Sequence, residues 1–237
     1  MEQDKSVGGF LRLTFGLIST NIAAVALYIF VLSALNIAGV FFELVDPSDR
    51  IAGFSMGFSL SAEDEIISSI FTIIAAIVGV VATYFLLAQY LASQGRLKST
   101  ETRIWAYIGM SIVAFLGYML GFLLLIVPGI IIMVRWSASS GFLIGERFGI
   151  GDSLKASWDA TSGHSWPIFG AGLVLLIGFV VIFGGLGFLL GSIDEMFAVA
   201  AAAVIADTLS NALFLAFGIA IYCIVHDGAD ETAEVFA

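Results

Sequence analysis

The sequence predicts an all-α fold, a polytopic transmembrane helical bundle of about six spans with short interfacial helices. Composition is the first reason. Of 237 residues 60% are hydrophobic and 12% charged, with mean hydropathy +1.06, whereas ordinary globular chains are about 25% charged and about 45–50% apolar. The second reason is that uninterrupted apolar runs exceed the ~20 residues a bilayer requires. With 26 Gly and 3 Pro, the chain is neither collagen-like nor Pro-rich and disordered. The whole chain, 1–237, therefore reads as one integral membrane domain. The stretches left between apolar runs are too short for a soluble catalytic domain of about 100 residues.

Taken in order, residues 7–20 read as an amphipathic interfacial helix. Phe10, Leu13 and Leu17 recur at helical spacing there, and Arg12 can reach headgroups. A first span follows at about 21–42. Residues 13–42 carry no charge, so one long tilted helix competes with this division. The second span, about 66–92, lies between Glu63-Asp64-Glu65 and Ser93-Gln94-Gly95-Arg96. The third, about 104–127, ends at Val127-Pro128-Gly129, a predicted tight turn or kink. A short fourth span, about 130–145, returns to Glu146-Arg147; if 128–145 is re-entrant instead, the count falls to five. The fifth and sixth spans are about 166–190 and 196–225.

Between spans four and five, Gly149 and Gly151 interrupt the helix and Asp152 is placed to cap a second interfacial helix, about 153–161. Leu154, Trp158 and Thr161 fall on one side of it, Lys155 and Asp159 on another. Trp158 and Trp166 are expected as interfacial anchors, so this segment reads as a connector along the membrane surface, with a docking surface or gate as its functional version. The loop 43–65 is acidic, with Glu43, Asp46, Asp49, Glu63, Asp64 and Glu65 against Arg50. The tail from His226 is acidic too, with Asp227, Asp230, Glu231 and Glu234.

Charge placement sets the expected orientation. Seven of the nine Lys and Arg (Lys5, Arg12, Arg96, Lys98, Arg103, Arg147, Lys155) fall on one side of this threading, which predicts both termini in the cytoplasm. No cleavable signal peptide is visible, and the first span reads as a retained anchor. The net charge of −10 argues against a nucleic-acid or anionic-lipid binder. Cys223 stands alone, which forbids an intramolecular disulfide.

For chemistry, Arg135 and Asp207 stand out as charges within predicted spans, and each is the natural partner of the other. An ion or proton relay is the functional reading; an interhelical structural pair, or snorkelling of Arg135, is the structural one and is preferred. Asn21, Asn36, Gln89, Thr208, Ser210 and Asn211 share no helical face and read as interhelical hydrogen-bonding groups. His164 and His226 lack ligand spacing and are expected to be solvated. The external acids lack an EF-hand pattern. No nucleophile elbow, P-loop or HExxH occurs, so no catalytic residue, cofactor or metal is expected. Gly117/Gly121 and Gly187/Gly191 form GxxxG pairs, and Gly170, Gly172, Gly178, Gly184 and Gly185 add small surface to span five. Spans three and five are thus predicted as central packing helices, with the close partner either in the chain or in a second copy.

The most distinctive stretch is 128–169. It reads Pro128-Gly129-Ile130, Arg135-Trp136, Glu146, Gly149, Ser157-Trp158, Thr161, Gly163 and Trp166. Over about 40 residues it resembles the bacterial glycerophosphoryl diester phosphodiesterase membrane-domain family, including its stand-alone relatives. That resemblance implies a multi-span helical module without assigned activity. The phosphodiesterase name belongs to members fused to a soluble catalytic domain, and this chain lacks one. Family members often carry basic residues beside the Ser-Trp pair; here Ala156 and Asp159 flank it. The resulting expectation is a non-enzymatic inner-membrane protein, structural, lipid-organising or partner-binding. Its partners are membrane lipids, with a protein or second copy at the Gly-rich faces and no nucleic acid. The candidate interfacial segment is Glu146, Ser157, Trp158 and Trp166, and a small transporter or channel using Arg135 and Asp207 is the alternative.

Overall fold

The computed structural model describes residues 4–42, 44, 65–190 and 196–235. The acidic side chains of the 43–65 loop and of the tail, and Gly191 of the second GxxxG pair, lie outside the described residues. Among the described residues the regular structure is helical throughout, and six helical stretches are long and apolar enough to cross a membrane. This is the all-α polytopic bundle the composition predicts. The chain resolves into two compact units. One comprises 1–22, 84–175 and 213–237; the other comprises 23–83 and 176–212.

Helix α1 (Val7–Thr20) starts at Ser6, whose Oγ accepts from Gly9 N at 3.3 Å. It buries Phe10, Thr14 and Leu17. It stops at Asn21, whose carboxamide donates to Leu17 O and to Ser93 Oγ, both at 2.9 Å. A side chain bonding the backbone of its own helix competes with continuation, so the uncharged run 13–42 is two helices rather than one, and α2 (Ile22–Phe41) follows. In the second unit, hydroxyls bridge helices where hydrocarbon supplies no water. Tyr28 Oη meets Thr83 Oγ1 and Ser33 donates to Thr208, each at 3.4 Å. Helix α3 (Glu65–Ser93) exposes Ile66, Ile67, Ile70, Ile73, Ile74 and Ile77, the apolar surface a bilayer solvates.

Helices α4 (Ile104–Leu124) and α5 (Ile126–Arg135) form a hairpin. Its turn is the single extended residue Leu125 (φ −166°, ψ 156°), three residues before the predicted Pro-Gly turn. Pro128 instead occupies the first turn of α5, where a missing N–H costs nothing. Gly129 serves close approach: a Cβ there would stand 2.6 Å from the Phe122 ring. One on Gly121 would stand 2.9 Å from Gly129 Cα, and one on Gly117 would enter the Trp136 ring. The Gly117/Gly121 pair therefore packs against its own chain.

After a break at residues 136–138 the chain continues as α6 (Ser139–Ile144) and α7 (Ile150–Ala160). Residues 126–144 together are about 28 Å long at 1.5 Å per residue, enough for a thin span. Helix α7 starts three residues earlier than predicted, with Gly149 as N-cap and Asp152 inside the first turn. It packs against α4, α5 and α6. Its inner face is Ser153, Leu154, Ser157 and Thr161, while Trp158 stays 40% exposed. Along that face it is docked on its neighbours.

Helices α8 (Ser165–Leu190) and α9 (Met196–Val235) complete the chain. The most buried membrane-crossing stretch is that of α9, whereas spans three and five were predicted as the central packing helices. In its membrane-crossing stretch 61% of the most apolar part is buried, against 17% in both α4 and α8. Alanine at 200, 212, 216 and 220, all fully buried, supplies the small face that glycine was expected to supply. On α8, Gly178 faces open space, with nothing within 4 Å of an added Cβ. Gly178→Ala should therefore raise stability by about 0.5–1 kcal/mol through the lower entropy of the unfolded chain. Thermal unfolding in detergent reads this; a drop in midpoint would mean that a partner occupies that face.

Candidate functional site

The polar focus of the first unit forms where α3 ends, where α6 meets α7, and where α9 leaves its apolar stretch. Helix α3 terminates in a Schellman motif: Arg96 N donates to Leu91 O at 2.9 Å and Gly95 N to Ala92 O at 3.0 Å. Gly95 takes φ +66°, open to glycine at no steric cost. The loop 94–103 is then fastened to the α6–α7 connector. Lys98 N donates to Gly145 O at 3.4 Å. Arg103 Nη1 reaches Phe148 O at 3.0 Å and Leu143 O at 3.4 Å, placing a cation at the C-terminal end of α6. Arg147, in the left-handed region at φ 63°, pairs with Glu101 at 2.9 Å. Glu101 is 80% exposed, so this last pair contributes little to stability.

Glu146 is the hub. Its side chain is 10% exposed. Oε2 pairs with the Lys98 ammonium. Oε1 accepts from Tyr222 Oη at 2.9 Å and lies 3.4 Å from His226 Nε2. Burial pushes the Glu146 carboxyl up, but the bonds from Lys98 and Tyr222 and the charges of His226 and Lys98 outweigh it. Its pKa is held below the ordinary glutamate value.

The tautomer of His226 follows from its neighbours. Arg96 Nη1 lies 3.2 Å from His226 Nδ1. A guanidinium only donates, so Nδ1 accepts, and the ring proton of this arrangement sits on Nε2, facing Glu146. A cleft of about 440 Å³, open to solvent, is lined by Gly95, Arg96, Leu97, Lys98, Glu146 and His226.

This hub depends on close approach. A Cβ on Gly141 would stand 2.6 Å from Tyr222 Cβ, and one on Gly145 would stand 2.9 Å from Arg96 O and 3.2 Å from Tyr222 Oη. Gly141-x-x-x-Gly145 is thus the small-residue pair that admits α9. Sequence reasoning passed over it, although its spacing is that of the pairs it singled out. It also passed over Arg96, Lys98 and Tyr222 as site residues. The four-residue spacing of Tyr222 and His226, one face of a helix end, was the signal that could have found the last of these.

Of the candidate pair and the candidate interfacial segment, Glu146 alone falls in the hub. Arg135 was expected to meet Asp207. Within its own unit its partners are on α7: its Nη1 donates to Trp158 O at 3.3 Å, and its guanidinium lies over the Trp158 ring, 5.4 Å from the centroid. Asp207 accepts from Asn211 Nδ2 at 3.4 Å, one turn on, and the two residues belong to different units. Ser157 closes the break between α5 and α6, donating to Arg135 O at 2.7 Å and accepting from Ala138 N at 3.2 Å. Thr161 adds a bond to Arg135 O at 3.3 Å. Trp166 is 82% exposed, with Phe169 edge-on to it at 6.3 Å. Neither histidine is simply solvated. His226 is in the hub, and His164 Nδ1 is buried without a hydrogen-bond partner. Among the described residues, no group of three His, Cys, Asp or Glu could hold a metal ion.

No family model matches the chain, and no curated protein or solved structure matches it.

Proposed function

We propose that this is a non-catalytic, multi-span protein of a bacterial inner membrane that organises lipid at its charged end, with that end and both termini in the cytoplasm. The observation that supports this is the gathering of Arg96, Lys98, Arg103 and Arg147 within one unit by the bonds of the loop 94–103, two of the four paired with the carboxylates of Glu146 and Glu101. A net charge of −10 hides this local group. Cations beside a membrane-crossing bundle attract acidic headgroups, at about 1 kcal/mol per residue near the surface, and their clustering is the ordinary mark of a cytoplasmic face. The exposed Trp166 and the half-exposed Trp158 over Arg135 suit the headgroup level. The likeness of 128–169 to the phosphodiesterase membrane-domain family fits a membrane module of this kind, and no phosphodiesterase activity is proposed.

The test is lipid analysis of the full chain excised from its membrane in native nanodiscs. Acidic phospholipid should be enriched around it relative to the bulk membrane. A lipid profile equal to bulk would sink the reading, and a second polypeptide in fixed ratio would replace it with partner binding.

A further inference from the structure

We propose that the α4–α5 hairpin is a one-leaflet wedge: it enters the bilayer beside the hub, turns at Leu125 among acyl chains near the bilayer centre, and leaves by the face it entered. The partner it fits is the hydrocarbon of the leaflet on the hub's side. The placement rests on the hairpin's own geometry, and the lipid-organising reading supplies only its use.

Three observations converge, all within one unit. The first is the chemistry of the turn. From Met119 to Val134 the chain holds no polar side chain, and Leu123, Leu124, Leu125, Ile126 and Val127 are 64–78% exposed. A turn that emerged at the far face would present five aliphatic side chains to water, with no Trp, Tyr or charged residue among them to meet headgroups. The other end of α4 is built for that level, with Arg103 before its first residue and Trp105 86% exposed in its first turn.

The second observation is depth. On α4 the last exposed polar residue before the turn is Ser111, and on α5 the first charge after it is Arg135. At 1.5 Å per residue, Ile112 to Leu124 is about 18 Å and Ile126 to Arg135 about 14 Å, roughly half the ~30 Å hydrocarbon core. The whole of α4 is long enough to cross, but its first part runs beside α7. A Cβ on Gly109 would stand 2.8 Å from Ile150 Cδ1 at the start of that helix, and the outer face of α7 exposes Asp152, Lys155 and Asp159. Drawing α4 fully across the bilayer would carry those charges into hydrocarbon.

The third is the backbone, whose polar groups must be paired within the protein where no water reaches. Leu125 N donates to Gly121 O at 3.1 Å, and Leu125 O accepts from Gly129 N at 3.4 Å. Both polar groups of the turn residue are thus paired, and Pro128, in the first turn of α5, has no N–H to satisfy. Two helices held in one leaflet widen it against the other, so the hairpin acts on the bilayer by shape where the hub acts by charge.

The experiment uses the full chain in phosphatidylcholine–phosphatidylglycerol bilayers, with Cys223→Ala removing the native thiol. Ile112→Cys, Leu116→Cys, Leu120→Cys and Leu124→Cys, all at exposed positions, each carry a nitroxide, and collision with oxygen against a water-soluble nickel chelate reads depth. Depth should rise at every step and end about 18 Å greater at Leu124 than at Ile112. A maximum at Leu116 or Leu120, with Leu124 shallow again, means that the hairpin crosses and overturns the proposal. Nickel access at all four positions places it outside the hydrocarbon, and a Leu124 label that neither reagent reaches means that protein covers the turn; either result overturns it as well. In sealed vesicles Leu125→Cys should resist a membrane-impermeant maleimide from both sides and react once detergent opens the bilayer; reaction from either side refutes the wedge. Depth rising to Leu124 without acidic-lipid enrichment keeps the wedge and removes the charge-based reading. Enrichment around a crossing hairpin does the reverse.

Discussion

Gly141→Leu is expected to abolish the folded bundle, or to leave a protein that unfolds far below wild type in detergent. The added Cβ would stand 2.6 Å from Tyr222 Cβ, an atom fixed to the α9 backbone rather than the far end of a flexible side chain. Relief therefore requires α9 to move, together with its buried run Ile219–Val225. Overpacking a core costs about 1–3 kcal/mol where side chains can adjust, and the cost here should exceed that range. Gly178→Leu is the control, because the same enlargement at an open site on α8 meets nothing within 4 Å. Equal thermal midpoints for the two variants would show that α9 does not sit on α6 as described.

Glu146→Ala carries the second-largest expected loss, on the order of 3 kcal/mol. It leaves the Tyr222 hydroxyl and His226 Nε2 facing a void, and it frees Lys98. Bonds to a charged group contribute about 1.5–3 kcal/mol each, discounted here because Lys98 is mostly exposed. The pH dependence has a definite sign. The Glu146 pKa is depressed from the ordinary 4.5 on folding, so its stabilisation is fully present above about that value. It is lost as pH falls from there through the lower folded value. Glu146→Gln should remove this acid-side loss while keeping an acceptor for Tyr222. Chemical unfolding between pH 6 and 3 separates the cases, and parallel curves for wild type and Glu146→Gln would refute the assignment of the hub.

Hydropathy made the six stretches of membrane-crossing length legible, because a bilayer selects on length and apolarity alone. Helix ends were less legible because they are set by single contacts. Asn21 ends α1 by folding its carboxamide onto Leu17 O, and nothing in an uncharged run announces that choice. Pro128 and Gly129 looked like the turn, yet the turn is one extended leucine, and the pair serves packing inside α5. Arg135 was recognised as costly in a membrane, but its partner was sought among acids. Within its own unit a ring and a carbonyl on α7 lie against it, and that helix is invisible as a partner until it docks. Glu146 was noticed through its motif context. Its partners Tyr222 and His226 lie 76 and 80 residues further along the chain, beyond any local spacing rule.

That separation matters for how the molecule is made. A chain emerging from its N-terminus exposes Glu146 long before residue 222 exists, and until then Lys98 alone of its three partners is available. The carboxylate thus has Lys98 alone while the next 76 residues are made, and Tyr222 and His226 complete its coordination late in synthesis. Arrival of Tyr222 and His226 acts as a closing stitch, and a product truncated before it carries an under-coordinated buried acid as the mark of its incompleteness.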